Sequence, residues 1–309
     1  MRSNVRSKRR RKESFGSKVF DAFNILIMIF ILVVVLYPVL NIIAISFSSV
    51  AHISKADISI WPKGFNVNSY YLVLRDKFVY TGYVNSILYA AGSTLLMLLF
   101  TSMMAYALMV QEFVFKKFIN IYLTITMFFG GGLIPTYIMM QRLKLLDTPW
   151  VMIIPGCVGA YNVFVFRTFF RNVPGEMRES ALVDGANDML ILFKIILPLS
   201  KSLLATFALF SIVGSWNSWF NALIYLKDEN KYPLQLVLRN YLYVIDANAL
   251  ARRSGSSASA VNSMMANMKV TPKGVRMAMI VITMFPIMMI YPFFQKYFVK
   301  GVMIGAIKG

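Results

Sequence analysis

Six stretches of the chain stay apolar long enough to cross a bilayer as helices, which takes about 20 residues each. They run from about Phe23 to Ser46 and over residues 85–110, 118–140, 149–170, 203–226 and 277–297. Polar residues collect in the intervals between them. The pattern predicts an all-α integral membrane protein with six transmembrane helices. The centre of every stretch lacks Asp, Glu, Lys, Arg and His. Carriers driven by protons or sodium keep an ionisable group at membrane depth, where its cost is tolerated only for function. Its absence argues against ion-coupled transport, so energy has to arrive from outside the bilayer.

The intervals divide the chain into a basic N-terminal segment (1–22), a membrane domain (23–300) and a short tail (301–309). Arg2, Arg6, Lys8, Arg9, Arg10, Arg11, Lys12 and Lys18 precede the first apolar stretch. That stretch is longer than a signal-peptide core and lacks a small-residue cleavage site. It reads as an uncleaved first span with its N-terminus in the cytoplasm. The inner intervals are then 1–22, 111–117, 167–202 and 296–309, and the outer ones 49–82, 141–148 and 227–276. The inner excess of Lys and Arg is slight overall, and the strongly basic flank of the first span sets the orientation.

Composition agrees. The chain is 58% hydrophobic and 15% charged, with mean hydropathy +0.63, whereas soluble domains sit near half apolar and a quarter charged. The net charge of +19 raises the question of nucleic acid. No nucleic-acid motif accompanies it, and basic ends facing anionic inner-leaflet lipid account for it better. Cys157 and His52 are each the sole residue of their kind, so neither a disulfide nor a Cys/His metal site is available within the chain. The 21 methionines are scattered without a repeated spacing and read as packing. No phosphate-cradling G-x-x-x-x-G-K-[ST] loop and no catalytic constellation is present. The chain reads as a non-enzyme with no catalytic residues, no metal and no cofactor of its own.

The most patterned polar interval is 172–200. Pro174 and Gly175 open it, and Glu176 and Glu179 lie in the first turns, where negative charge suits a helix N-terminus. Gly185 suits the left-handed residue that ends a helix, Asn187 or Asp188 can cap the next, and Pro198 is expected to stop that one. The result is a helix, a glycine break and a second short helix, with small residues at Ser180, Ala181, Gly185 and Ala186.

Glu179, Ala181, Gly185, Ile195, Leu197 and Pro198 fall on the E-A-A, three residues, G, nine residues, I-x-L-P pattern of binding-protein-dependent ABC importer permeases. Asp184 and Ala186 match its common flanks, and Ser180 replaces the first alanine. The run from Phe166 to Pro174, the Trp216-Asn217 pair and the ending from Gln295 through Gly301 to Gly309 resemble the oligosaccharide branch of carbohydrate uptake permeases. The chain is similar there to the six-span permease of the maltose importer. The resemblance implies a type I permease fold in a bacterial cell membrane, multi-pass, with both termini cytoplasmic. It implies a second homologous permease, two ATPase subunits holding ATP and Mg, and an extracytoplasmic solute-binding protein as partners. Glu179 to Ala186 would form a coupling helix seated on one ATPase, and the tail would reach the ATPase interface. The cargo implied is a sugar, most simply an oligosaccharide. A peptide or phosphorylated solute, or a membrane assembly role without transport, are the alternatives.

Within the spans, Trp216, Asn217, Trp219 and Asn221 are candidates for a sugar pathway, since aromatic faces stack on sugar rings and amides bond hydroxyls. Trp216 and Trp219, three apart, are expected on one helix face; plain packing is the alternative. Gly130-Gly131-Gly132 with Pro135, and Pro155, Pro286 and Pro292, are places where spans can bend or pack closely. In the outer interval 227–276, the small polar run including Ser254, Gly255, Ser256 and Ser257 is a candidate contact for the binding protein or a tolerated insertion.

Overall fold

The computed structural model describes residues 15–243, 263, 266–267 and 269–306, and among these no strand occurs. The chain runs through α1 (Phe15–Ser46), α2 (Val50–Lys55), α3 (Asn68–Leu74), α4 (Lys77–Met109), α5 (Lys116–Phe128) and α6 (Leu133–Arg142). It continues through α7 (Trp150–Ile153), α8 (Ala160–Arg171), α9 (Gly175–Val183) and α10 (Asp188–Ile191). A π-turn (Leu192–Ile196) leads into α11 (Leu197–Leu199), α12 (Lys201–Trp216) and α13 (Trp219–Tyr225). A 3-10 turn (Glu229–Lys231), α14 (Leu234–Tyr243) and α15 (Pro272–Ala306) complete it.

Among the described residues, three helices are long and apolar enough to cross a membrane unbroken: α1, α4 and residues Pro272–Gln295 of α15. All three begin before their apolar stretch does. Asp76 caps α4 by accepting from the Phe78 N–H at 2.8 Å, which extends the helix through the mixed residues 77–84. Thr271 Oγ1 accepts from the Gly274 N–H at 3.0 Å, and Pro272 takes the first position of α15, where its missing N–H costs nothing.

Each of the other three expected spans is divided between two helices. Segment 118–140 breaks at Gly130–Gly132 into α5 and α6; α5 has 13 residues, about 20 Å, too short for a hydrocarbon core of about 30 Å. Segment 149–170 breaks around Pro155 and Gly156 into α7 and α8. Segment 203–226 breaks at Asn217–Ser218 into α12 and α13. Asp188–Leu199 and Lys201–Trp216 are long and apolar enough to cross only as a pair, bent by 83°.

Helix α4 is the hub, with α8 and α12 packed along it and α14 across its first half. Small residues make that possible. A Cβ on Gly82 would stand 3.2 Å from the Leu234 backbone, and one on Gly92 3.2 Å from Ile153. Thr94 donates to Ser211 Oγ across the α4–α12 seam at 2.9 Å, the kind of contact that joins helices in lipid where no hydrophobic drive separates partner from solvent. One apolar core lies where α3, α4, α12, α14 and α15 meet, around Val79, Trp216, Val237 and Met279. A second joins α4 and α8 to the π-turn and α12 through Leu108, Phe166, Phe170, Leu192 and Phe207. By contrast α1 is exposed up to Leu36 and apolar on every side from Ile25, and it docks on α15 near its C-terminal end.

Candidate functional site

The polar interval folds as a helix, a tight reversal and a second helix. Pro174 stands before α9, and Glu176 lies in its first turn. Helix α9 ends in a Schellman turn: the Gly185 N–H bonds to Leu182 O at 3.0 Å and the Ala186 N–H reaches back to Ala181 O at 2.9 Å. This turn needs a left-handed residue, and Gly185 supplies it with φ of +79°. Asn187 then caps α10, its Oδ1 accepting from the Leu190 N–H at 2.8 Å. Pro198 does not stop the second helix. The π-turn at Leu192–Ile196 widens the helix just ahead of the ring, and the chain stays helical to Leu199, bending at buried Ser200.

A polar network and an apolar wedge fix the loop to the bundle. Tyr106, near the end of α4, donates to Asp188 Oδ1 at 2.7 Å, and Arg178 of α9 reaches the same oxygen at 3.4 Å. Arg178 also lies 3.8 Å from Glu112. Ile191, Leu192 and Ile196 are buried in the second core, and Ala181, Ala186, Ile195 and Leu197 pack against it half-buried. The opposite surface is bare. Glu179, Ser180, Asp184, Gly185 and Pro198 are exposed, as are the apolar side chains of Leu182, Val183 and Met189. Glu179 also lines a cleft of about 580 Å³ with Glu112, Lys116, Arg171 and Arg178. The loop is therefore held firmly at its base and offers a small-residue, partly apolar outer face.

The pathway candidates separate. Trp216 is buried in the first core; its Nε1 donates to Thr283 O at 3.3 Å and its ring meets Tyr83 edge-on. Asn217 ends α12, bonding back to Val213 O at 2.9 Å, so the helix stops and Trp219 emerges exposed beyond it. Trp216 and Trp219 thus do not share a helix face. Asn221 is exposed on α13. Ser254, Gly255, Ser256 and Ser257 lie outside the described residues, as does the end of the tail, 307–309.

The family model for the binding-protein-dependent transport system inner membrane component matches residues 10–304. The chain belongs to that family. The permease is 37% identical to the protein LplC of Bacillus subtilis (strain 168) over 294 residues, covering 95% of this chain and 96% of that one. It is 32% identical to the polygalacturonan/rhamnogalacturonan transport system permease protein YtcP of the same organism, covering 92% and 96%. Among solved structures, a chain of a bacterial ABC transporter involved in the import of the acidic polysaccharide alginate superposes with a TM-score of 0.86. That match has 29% identity and covers 93% of the permease and 99% of that chain.

Sequence reasoning missed two side chains of the permease near Trp219. Arg239 of α14 places its guanidinium carbon 5.1 Å from the centre of the Trp219 ring and 5.5 Å from that of Tyr243. Gln235, four residues earlier, donates to Asn217 Oδ1 at 3.1 Å. The spacing of Gln235 and Arg239 on an amphipathic helix was the available signal; their juxtaposition with Trp219 is tertiary.

Proposed function

We propose that this permease is the translocation subunit of an ATP-driven importer that takes up an oligosaccharide. In this reading it pairs with a second homologous permease, two ATPase subunits bind ATP and Mg, and an extracytoplasmic binding protein delivers the sugar. Six membrane passes, three of them broken helices, place both termini and the 172–200 loop in the cytoplasm. Glu179–Ala186 acts as the coupling helix, seated on an ATPase through Leu182, Val183 and the small residues around Gly185.

The observation that carries the reading is the loop itself: anchored at its base through Asp188, Tyr106 and Arg178, yet bare on its outer face. Rigid attachment lets a push on that face reach the bundle, and a two-state rocking of packed helices then alternates access to the pathway. The names of the sugar-polymer relatives support the cargo class.

Purification of the tagged chain from its native membrane tests the assembly. An ATPase and a second permease are expected to come with it, and vesicles holding the complex should import oligosaccharide only with ATP and binding protein. Recovery of neither partner would overturn the importer reading. Import of a peptide or phosphorylated solute in place of oligosaccharide would overturn the cargo.

A further inference from the structure

Where α12 gives way to α13, a group of side chains gathers around Arg239. Its guanidinium lies against the rings of Trp219 and Tyr243. A planar guanidinium stacked on ring faces keeps its N–H edge free for in-plane, two-toothed bonding to a carboxylate. Gln235 sits on the same face of α14, four residues before Arg239, and is already paired with Asn217 of the α12 end. Among the described residues no carboxylate lies within ion-pair distance of Arg239. Trp219, Tyr243 and Asn217 are all exposed. Two exposed rings and the exposed Asn217 amide thus gather beside the half-buried Gln235 amide and an unneutralised, half-buried Arg239 fork.

The charge of the surrounding interval points the same way. Residues 227–276 carry eight Lys and Arg against three Asp and Glu. In the orientation read above this interval is on the outer side, where basic residues run against the usual bias of membrane proteins. A net-positive interval on that side attracts anions and speeds their arrival.

We propose that Arg239, Trp219, Tyr243, Gln235 and Asn217 form a subsite for a uronate unit, making the cargo an acidic oligosaccharide. The Arg239 fork takes the carboxylate, the Trp219 and Tyr243 rings hold the guanidinium in place, and the amides bond the sugar's hydroxyls. The proposal rests on the sugar-importer reading and narrows it.

The test uses the complete transporter with its binding protein in vesicles. Import is measured for a panel of uronate trimers (galacturonate, mannuronate, glucuronate), for their methyl esters and for neutral maltotriose. The wild type is expected to import at least one uronate trimer in preference to its ester. Arg239→Gln should lower import of that trimer by about 10- to 100-fold, the loss expected for a hydrogen-bonded charged group, while import of the ester, which carries no charge, falls several-fold less. Arg239→Lys, which keeps the charge without the fork, should fall between them, and it keeps the test open if Arg239→Gln fails to assemble. Equal loss for acid and ester, or no loss for either, overturns the subsite. A wild type that imports maltotriose but no uronate overturns the subsite alone. Import of no oligosaccharide at all overturns both the subsite and the sugar reading.

Discussion

At Gly185 the constraint is conformational and not steric, because a Cβ there would meet nothing within 4 Å. The backbone at φ of +79° is what excludes most residues. Asn visits this region more readily than other residues, and β-branched side chains avoid it. Gly185→Asn is therefore expected to retain most ATPase co-purification, and Gly185→Val to lose it, with similar amounts of both variants in the membrane. Equal retention would show that the turn does not matter to the interface. Trp216 presents the opposite case, a large ring 2% exposed in a packed core. Trp216→Ala should cost about 3–5 kcal/mol and deplete the protein from membranes, whereas Trp216→Phe should be milder; immunoblots of membrane fractions read the difference. How much of each residue's role was legible in sequence follows from range. Gly185 and Asn187 act on their own turn, so local chemistry announced them. The burial of Trp216 depends on Thr283 and Tyr83, far away in the chain, and spacing from Trp219 pointed the wrong way.

Among elements, the breaks matter more than the helices. Hydropathy located all six apolar segments but not that three are discontinuous, because Gly and Pro in an apolar run are compatible with close packing or with a break. Backbone geometry decides at Gly132, which has φ of +79° and ψ of 178°, a region that side chains rarely enter. Gly130, in the same run, has no positive φ. Neither has a neighbour that an added Cβ would strike. Gly132→Ala is thus expected to destabilise by about 1–3 kcal/mol, while Gly130→Ala leaves the unfolding midpoint of the purified complex where it was. Identical midpoints would mean the α5–α6 break tolerates other geometries. The π-turn before Pro198 was equally hidden from sequence. A proline predicts a stop, and only the surrounding helix shows that a widened turn accommodated it.

For the whole molecule, one polar staple holds distant loops together. Asp147 accepts from the backbone N–H groups of Lys227 and Asp228 at 3.0 and 3.1 Å, and Lys231 pairs with its carboxylate at 3.2 Å. Those backbone donors, Asp228 first and then Lys227, hold the Asp147 carboxyl below the ordinary range, with Lys231 adding to the effect. A depressed carboxyl contributes stability that is present above its unfolded value and lost as pH falls through the lower folded one. The staple should therefore hold unchanged from neutral pH down to about 4 and loosen only below. Amide exchange across residues 225–231, corrected for intrinsic rates, checks this; protection that fell on raising the pH from 5 to 8 would contradict it. The same loop crossing brings α13 and α14 beside one another, which is why Arg239 and Trp219 meet and why no local pattern could have announced it.

The joint at Ser200 has one more consequence. Two stiff rods fixed at 83° behave as a bell crank: lifting the free end of one swings the other through an arc instead of sliding it lengthwise. On the importer reading proposed above, a push on the loop tilts α12 about Ser200, and its greatest travel falls at the far tip, where Asn217 ends the helix. The slack needed to absorb that travel is the interruption between α12 and α13, so a sequence that fused them into one continuous rod would stiffen the crank until it jammed.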